Sequence, residues 1–283
     1  MRDYFCGWYF KCQSDKETLA IIPAMHRSHS TASCSIQFIT QKGVRNVTLP
    51  YRDLHKQSRD LHIDLGKNHF GKDGITLCLH MPDGDACGAL RFGPWCPIGY
   101  DIMGPFRYVP FMECRHDIRS MLHTVNGDIF ICGEHYRFRD ALGYIEGDRG
   151  HSFPRAYAWT QCFFKGGSLM LSVADIPMGA FHFTGVIGVI RLLEKEYRLA
   201  TYLGAKAVKI GDGEIVIRQG DSTFTARLIE KHPLPLLAPA GGTMCRTIHE
   251  SAVCRAAYRF TQKGHTLLSF ESDKASFEYE YGS

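Results

Sequence analysis

Short runs of alternating apolar and polar residues, separated by turn residues, recur along most of the chain. The first run, Asp3 to Gln13, alternates around aromatic side chains, and turn clusters such as Gln41-Lys42-Gly43 and Pro82-Asp83-Gly84-Asp85 divide the runs that follow. No apolar stripe with the helical period persists for about four turns. The pattern therefore predicts an all-β protein with little helix, built as two barrels or sandwiches.

One segment interrupts this rhythm and predicts the domain boundary. Gly93 to Pro110 is rich in proline and glycine, which excludes a central strand or a helix. We therefore expect an N-terminal domain over residues 1–105 and a C-terminal domain over residues 106–283, whose last strands could return to the first barrel. A second irregular crossing is expected from Pro233 to Gly242.

After the boundary, a hairpin is expected around Asn126-Gly127. This dipeptide suits a type I′ turn, and it lies between the strand-like runs Arg119 to Val125 and Ile129 to Ile131.

Charge and hydropathy exclude several classes of partner. The chain has 33 basic and 29 acidic residues, a net charge of +4, which is too small an excess to indicate binding to nucleic acid. No apolar stretch approaches the roughly 20 residues of a spanning helix, and no export signal is visible. We expect a cytoplasmic protein without an integral membrane segment.

Cysteine and histidine spacing predicts neither disulfides nor metal. The chain has an odd number of cysteines, 11, and no Cys-x-x-Cys motif, which favours free thiols in a reducing compartment. Histidine pairs such as His62 and His69 are seven positions apart, an odd number, so on one continuous strand they would face opposite sides. We expect no metal and no cofactor.

The stretch from Tyr144 to Pro154 is unlike its surroundings. Glu146, Asp148, Arg149 and His151 are titratable groups close together in the chain, between flexible glycines and aromatic residues. From the residue types alone, a surface turn with an Asp–Arg ion pair is the simpler interpretation, and such a pair contributes about 0 to 1 kcal/mol.

Motifs in and around this stretch favour a functional interpretation instead. In chain order they are Gly7-Trp8-Tyr9-Phe10-Lys11, Pro110-Phe111-Met112-Glu113, Tyr136-Arg137-Phe138-Arg139-Asp140-Ala141, Tyr144-x-Glu146-x-x-x-Gly150-x-x-Phe153-Pro154 and Trp159-x-Gln161-Cys162. They resemble the motifs of the tocopherol cyclase-like family, which is similar in fold to carotenoid 1,2-hydratases and lipocalin-like pericyclases. The resemblance implies two lipocalin-like β-barrel domains. It also implies an enzyme that cyclises or hydrates an alkene in a hydrophobic, prenylated small molecule. The chain departs from the plant enzymes at Asp148-Arg149, where they have Asn-Trp.

Such chemistry makes three physical demands. An acid has to be protonated at neutral pH, so the pKa of a carboxyl group has to be raised by burial. The tertiary cation needs aromatic faces nearby, and the pocket has to be apolar and dry.

Four residues are candidates for the proton transfer. Glu146 and Asp148 are two positions apart and share a face if the segment is extended. Arg149 could pair with Asp148 and leave Glu146 as the acid. Glu113 and His116 follow the irregular segment and could reach the same cavity, where His116 could relay a proton.

Aromatic and polar residues near the motifs are expected to contact the ligand: Trp8, Tyr144, Arg149, His151, Tyr157, Trp159 and Gln161. The alternative function is a non-catalytic lipocalin-like carrier of a similar molecule. The two functions differ in whether a protonatable carboxyl group lies against the cavity.

Overall fold

Strands dominate the fold, as the alternating pattern predicts. A computed structural model describes residues 3–57, 61–110, 112–178, 181–230 and 234–281, apart from the side chains of 178, 181 and 249–252. Phe111, part of one family motif, lies outside this range. Within it, helix is confined to the short 3-10 turns Tyr51–Asp53, Gly104–Tyr108 and Thr201–Leu203. None of the described helices is long and apolar enough to cross a membrane.

The first sheet has 11 antiparallel strands, ordered β4-β3-β2-β1-β11-β10-β9-β8-β7-β6-β5. Its strands are β1 (Tyr4–Gln13), β2 (Thr18–Arg27), β3 (Ala32–Thr40), β4 (Gly43–Pro50), β5 (Leu54–Gln57), β6 (His62–Leu65), β7 (Asn68–Gly71), β8 (Gly74–Met81), β9 (Gly84–Phe92), β10 (Cys114–Ile131) and β11 (Glu134–Gly150).

The second sheet has 10 strands, ordered β15-β14-β13-β12-β21-β20-β18-β17-β16, with β19 paired to β20. Its strands are β12 (Tyr157–Phe164), β13 (Gly167–Met178), β14 (Phe181–Leu192), β15 (Lys195–Ala200), β16 (Lys206–Gly211), β17 (Glu214–Gln219), β18 (Ser222–Glu230), β19 (Leu234–Ala240), β20 (Thr243–Gln262) and β21 (His265–Tyr279). Each sheet curls into a nearly closed barrel, which confirms the predicted all-β fold with two lipocalin-like barrels.

The chain divides into two compact units. Unit 1 comprises Met1–Ile98, Arg115–Ser152 and Pro239–Cys245, and unit 2 comprises Gly99–Cys114, Phe153–Ala238 and Arg246–Ser283. This division differs from the expected 1–105 and 106–283, because β11 pairs with β1 and so joins the N-terminal strands. The boundary at residue 105 stays a prediction.

The predicted turn at Asn126-Gly127 is wrong. Both residues lie inside the continuous strand β10, where they pair with β9. The chain reverses instead at Cys132 and Gly133, whose φ angles are 50° and 80°. Two successive positive φ angles are those of a type I′ turn, and here a cysteine occupies the first position.

The second predicted irregular crossing, from Pro233 to Gly242, is also wrong for most of the residues that the structure describes. Leu234–Ala240 forms β19, whereas Pro233 lies outside the described residues. Because β19 pairs with β20 alone, its prolines lie on an edge strand, where a missing N–H is tolerated. The first irregular segment is confirmed, because between Gly93 and Pro110 it contains no strand.

Candidate functional site

Strand β11 places alternate residues on two different faces. Ile145 lies in the hydrophobic core of unit 1, opposite Phe10 of β1. Glu146 and Tyr144 therefore lie on the other face, where they pair with Tyr9 and Lys11 of β1. We call the face formed by Tyr9, Lys11, Tyr144 and Glu146 the polar face.

The polar face carries a buried cluster around His116 of β10. The His116 Nδ1–H donates to Asp148 Oδ1 at 2.9 Å, and His116 Nε2 lies 3.0 Å from Glu146 Oε2. The Nε2 contact has the length of a hydrogen bond but not its geometry, so we treat it as an ion pair. The Tyr144 hydroxyl donates to the same Glu146 oxygen at 2.6 Å. Two carboxyl groups thus flank one imidazole.

The cluster holds His116 in its charged form. Burial alone would lower the pKa of His116, but the negative charges of Glu146 and Asp148 outweigh burial and hold this pKa well above its usual value of 6.5. Burial, followed by the charge of Glu146, raises the pKa of Tyr144 well above 10.0. At neutral pH the cluster therefore contains an imidazolium and a neutral phenol.

The same three side chains could be considered as metal ligands. The ligand atoms of His116, Glu146 and Asp148 lie within 4.8 Å of one another. A protonated imidazole has no lone pair to offer, and each of its nitrogens already faces a carboxylate. The arrangement favours proton transfer over metal binding.

A cavity of about 280 Å³ opens in unit 1. Its wall includes Cys6 and Trp8, which belong to or pack against the hydrophobic core, so it lies mainly on the core side of β1. Asp148 is one of the residues that line the cavity, whereas its carboxyl group contacts His116 on the polar face. Its side chain is 24% exposed, against 9% for His116 and 6% for Glu146. Asp148 is thus the most accessible of the three.

The cavity wall is less apolar than expected for alkene chemistry. It contains aromatic and aliphatic side chains, but also five charged residues: Lys56, Asp117, Arg119, Asp148 and Arg149. The Lys56 Nζ lies 5.8 Å from the centre of the Trp8 ring, a cation–π contact. Such a mixed wall suits an amphiphilic ligand better than a pure hydrocarbon.

The structure brings together some of the predicted site residues. The cluster unites Tyr144, Glu146, Asp148 and His116, and the cavity wall contains Trp8 and Arg149. The expectation that Glu146 and Asp148 share a face is confirmed, since both contact His116. Alternation places Arg149 on the opposite face of β11, opposite Cys6 of β1.

Other predicted residues lie outside the cavity wall. Glu113 precedes β10 and is assigned to unit 2, where Tyr157, Trp159 and Gln161 lie on β12. The Tyr157 hydroxyl donates to Glu278 at 2.5 Å. In unit 1, His151 is exposed, and its carbonyl accepts a hydrogen bond from the backbone of Gly242.

One polar residue at this face was missed by sequence reasoning. Lys11 is fully buried and lies opposite Tyr144 in the register of β1 and β11. The sequence feature that could have revealed it is a lysine two residues after Tyr9, in a strand that is rich in aromatic residues.

The expectation that His62 and His69 face opposite sides is wrong. The two residues are not on one strand but on β6 and β7, which form an antiparallel pair. Their rings lie 4.7 Å apart between centres. The odd spacing therefore brings them to the same face.

Comparisons with known proteins identify related folds. No protein-family model matches the chain, and no curated protein matches it in sequence. Among solved structures, CghA with Sch210972 is similar over 98% of this chain and 88% of its own, with a TM-score of 0.61 and 9% identity. Kievitone hydratase from Nectria haematococca is similar over 98% and 89%, with a TM-score of 0.54 and 9% identity.

A further solved structure covers the whole chain. A protein assigned as AttH from Nitrosomonas europaea is similar over 100% of this chain and 93% of its own, with a TM-score of 0.54 and 10% identity. At such identities the similarity shows the fold. The chain therefore shares the two-barrel architecture of these proteins.

Proposed function

We propose that this protein is an enzyme that transfers a proton to or from an amphiphilic, partly hydrophobic small molecule. The observation that carries the proposal is the buried His116, held between Asp148 and Glu146. Buried charges are costly, and groups with strongly shifted pKa values concentrate at functional sites. The fold shared with kievitone hydratase and CghA supports the same class of activity.

Within this class, acid-catalysed cyclisation or hydration of an alkene agrees best with the family resemblance. We assign proton delivery to Asp148, because it is the most exposed of the three charged residues in the cluster and one of the residues that line the cavity. His116 is the proton reservoir, and Glu146 positions it with help from the Tyr144 hydroxyl. Glu146 as the acid, and Glu113 as a further contributor, remain alternatives.

Binding of a ligand would favour transfer of the proton from His116 to Asp148. Solvent that reaches the 24% exposed side chain of Asp148 stabilises its ion pair with His116. A ligand that covers Asp148 removes this solvent and favours the uncharged pair, in which the proton lies on the Asp148 carboxyl group. That carboxyl group could then protonate an alkene carbon. A phenol oxygen or water would capture the tertiary cation, and the proton released from that oxygen would return to the Asp148 carboxylate.

The first experiment is mass spectrometry of small molecules that co-purify with the native protein. The second incubates the protein with a synthetic prenylated hydroquinone in D2O, because protonation of the alkene places deuterium on carbon in the product. We expect Asp148→Asn to lower turnover by about 100-fold or more, the usual contribution of a general acid.

A matched variant separates catalysis from general damage. Asp140→Asn makes the same change at an exposed position of the same strand, and we expect it to retain wild-type turnover. If the wild type binds prenylated molecules and returns them unchanged and without deuterium, the carrier function replaces the enzyme.

A further inference from the structure

A second cluster of ionisable side chains lies in unit 1 on the hairpin of β6 and β7. His62 Nε2 lies 3.1 Å from Asp64 Oδ2, and His69 Nδ1 lies 2.7 Å from Asp64 Oδ1. All three side chains are about 35 to 41% exposed. We propose that His62, Asp64 and His69 form a surface binding site for a divalent transition metal ion of the zinc type.

The donor set fits such an ion. Imidazole nitrogen and carboxylate oxygen are the usual ligands of Zn²⁺ besides thiolate, and the ligand atoms of His62, Asp64 and His69 already lie within 4.8 Å of one another. Bonds of about 2.0 to 2.1 Å in tetrahedral geometry place neighbouring ligand atoms about 3.3 Å apart. The two observed nitrogen–oxygen distances, 3.1 and 2.7 Å, are shorter than that value by about 0.2 and 0.6 Å, so the side chains have to separate by this amount around an ion.

This cluster differs from the His116 cluster in a way that matters for metal binding. Each of the two imidazoles meets Asp64 through one nitrogen, so the other can take the proton when the first binds a metal. The partial exposure also lets water fill a remaining coordination position, as in open zinc sites.

The surrounding strands add two supporting features. His55 of β5 lies directly opposite Asp64 in the strand register, so a third imidazole is available on the same face. Gly71 leaves room for the ring of His69, since a Cβ at Gly71 would lie 2.6 Å from His69 Nε2. His62 also belongs to the cavity wall, so a bound ion would lie near the rim of the cavity.

Exposed cysteine thiols would also bind the Zn²⁺ used to test the proposed site. Cys78 and Cys87 are exposed and lie opposite each other on β8 and β9, and Cys245 is exposed as well. The experiment therefore uses untagged full-length protein carrying Cys78→Ser, Cys87→Ser and Cys245→Ser. Zn²⁺ is titrated calorimetrically after treatment with a chelator, and Co²⁺ absorbance reports the coordination geometry.

We expect one Zn²⁺ per chain and a higher melting temperature in its presence. His62→Gln and His69→Gln should each weaken binding by at least tenfold, and Gly71→Ala should weaken it by displacing His69. The matched control is His80→Gln, which removes an exposed histidine paired with Asp85 on the neighbouring hairpin and should leave affinity unchanged.

Two outcomes would overturn the proposal. One is the absence of stoichiometric Zn²⁺ binding by the protein that retains all three ligands. The other is Zn²⁺ affinity that is equal in the parent protein, His62→Gln and His69→Gln. Circular dichroism of each variant separates loss of the site from loss of the fold.

Discussion

Replacing Glu146 with glutamine tests whether the charge of the buried His116 depends on its carboxylate neighbours. Glutamine preserves the shape of the side chain and can still accept the hydrogen bond from Tyr144. It removes the negative charge that lies 3.0 Å from His116 Nε2. Because that charge is one of two that raise the pKa of His116, we expect the pKa to fall in the variant.

The effect on stability follows from the direction of this shift. In the wild type the pKa of folded His116 exceeds its usual 6.5, so the charged residue stabilises the fold fully below about pH 6.5. This contribution is lost as the pH rises through the raised pKa. In Glu146→Gln the folded pKa of His116 is lower, so the contribution is smaller and its loss is complete at a lower pH.

The expected magnitude follows from the burial of both partners. The side chains of His116 and Glu146 are only 9% and 6% exposed, so screening by solvent is weak. Removing one partner of a buried ion pair costs about 3 to 5 kcal/mol. We expect a value near the lower end, because Asp148 still pairs with His116 and glutamine retains a hydrogen bond.

Two measurements check this prediction. NMR titration of the His116 ring should show a charged imidazole across neutral pH in the wild type and a lower midpoint in the variant. Urea unfolding at pH 6 and pH 9 should show the loss of free energy of unfolding, with Asp140→Asn as the control. A His116 that titrates near 6.5 in the wild type, or an unchanged midpoint in the variant, would refute the reasoning.

Three further predictions concern stability and thiols. Burial lowers the pKa of His26 and of His123 to about 4, so both bind protons more weakly when folded. The free energy of unfolding should therefore fall between pH 6.5 and pH 4 by up to roughly 3 kcal/mol for each histidine, as measured by urea unfolding, and His26→Gln should flatten this dependence. Tyr157→Phe leaves the buried Glu278 without its 2.5 Å hydrogen bond and should cost about 1 to 3 kcal/mol, so an unchanged unfolding midpoint would contradict the contact. Thiol titration of denatured, unreduced protein should count all 11 cysteines, and a shortfall of several pairs would reveal disulfides.

The fold class was predictable because alternation is a local signal. In β1, Phe10 and Cys12 enter the core while Tyr9 and Lys11 lie on the opposite face, and this period is visible in the sequence. The positions of the turns were less predictable. Asn126-Gly127 has the strongest turn composition in its region, yet pairing with β9 keeps it in a strand and moves the reversal to Cys132-Gly133. Tertiary pairing here overrides local preference.

The candidate site was predictable only along single strands. Glu146 and Asp148 share a face because they are two residues apart in an extended strand. Their common partner His116 comes from β10, and the sequence does not specify the register that brings it between them. The same limitation explains the error on His62 and His69, because their contact depends on a hairpin whose position the spacing alone does not reveal.

The cluster and the core depend on the same strand register. Ile145 is fully buried in the core, and its neighbour Glu146 contacts His116 on the other face. A shift of the register by one residue would exchange these faces and bury a carboxylate in the core, so packing around Ile145 also holds the cluster in place. Substitutions that keep the size of Glu146 or Asp148 therefore change the charge of the cluster with little effect on packing. For this reason, a loss of turnover in such a variant would report on chemistry under conditions in which urea unfolding shows it to be folded, whereas a change at Ile145 would alter fold and site together.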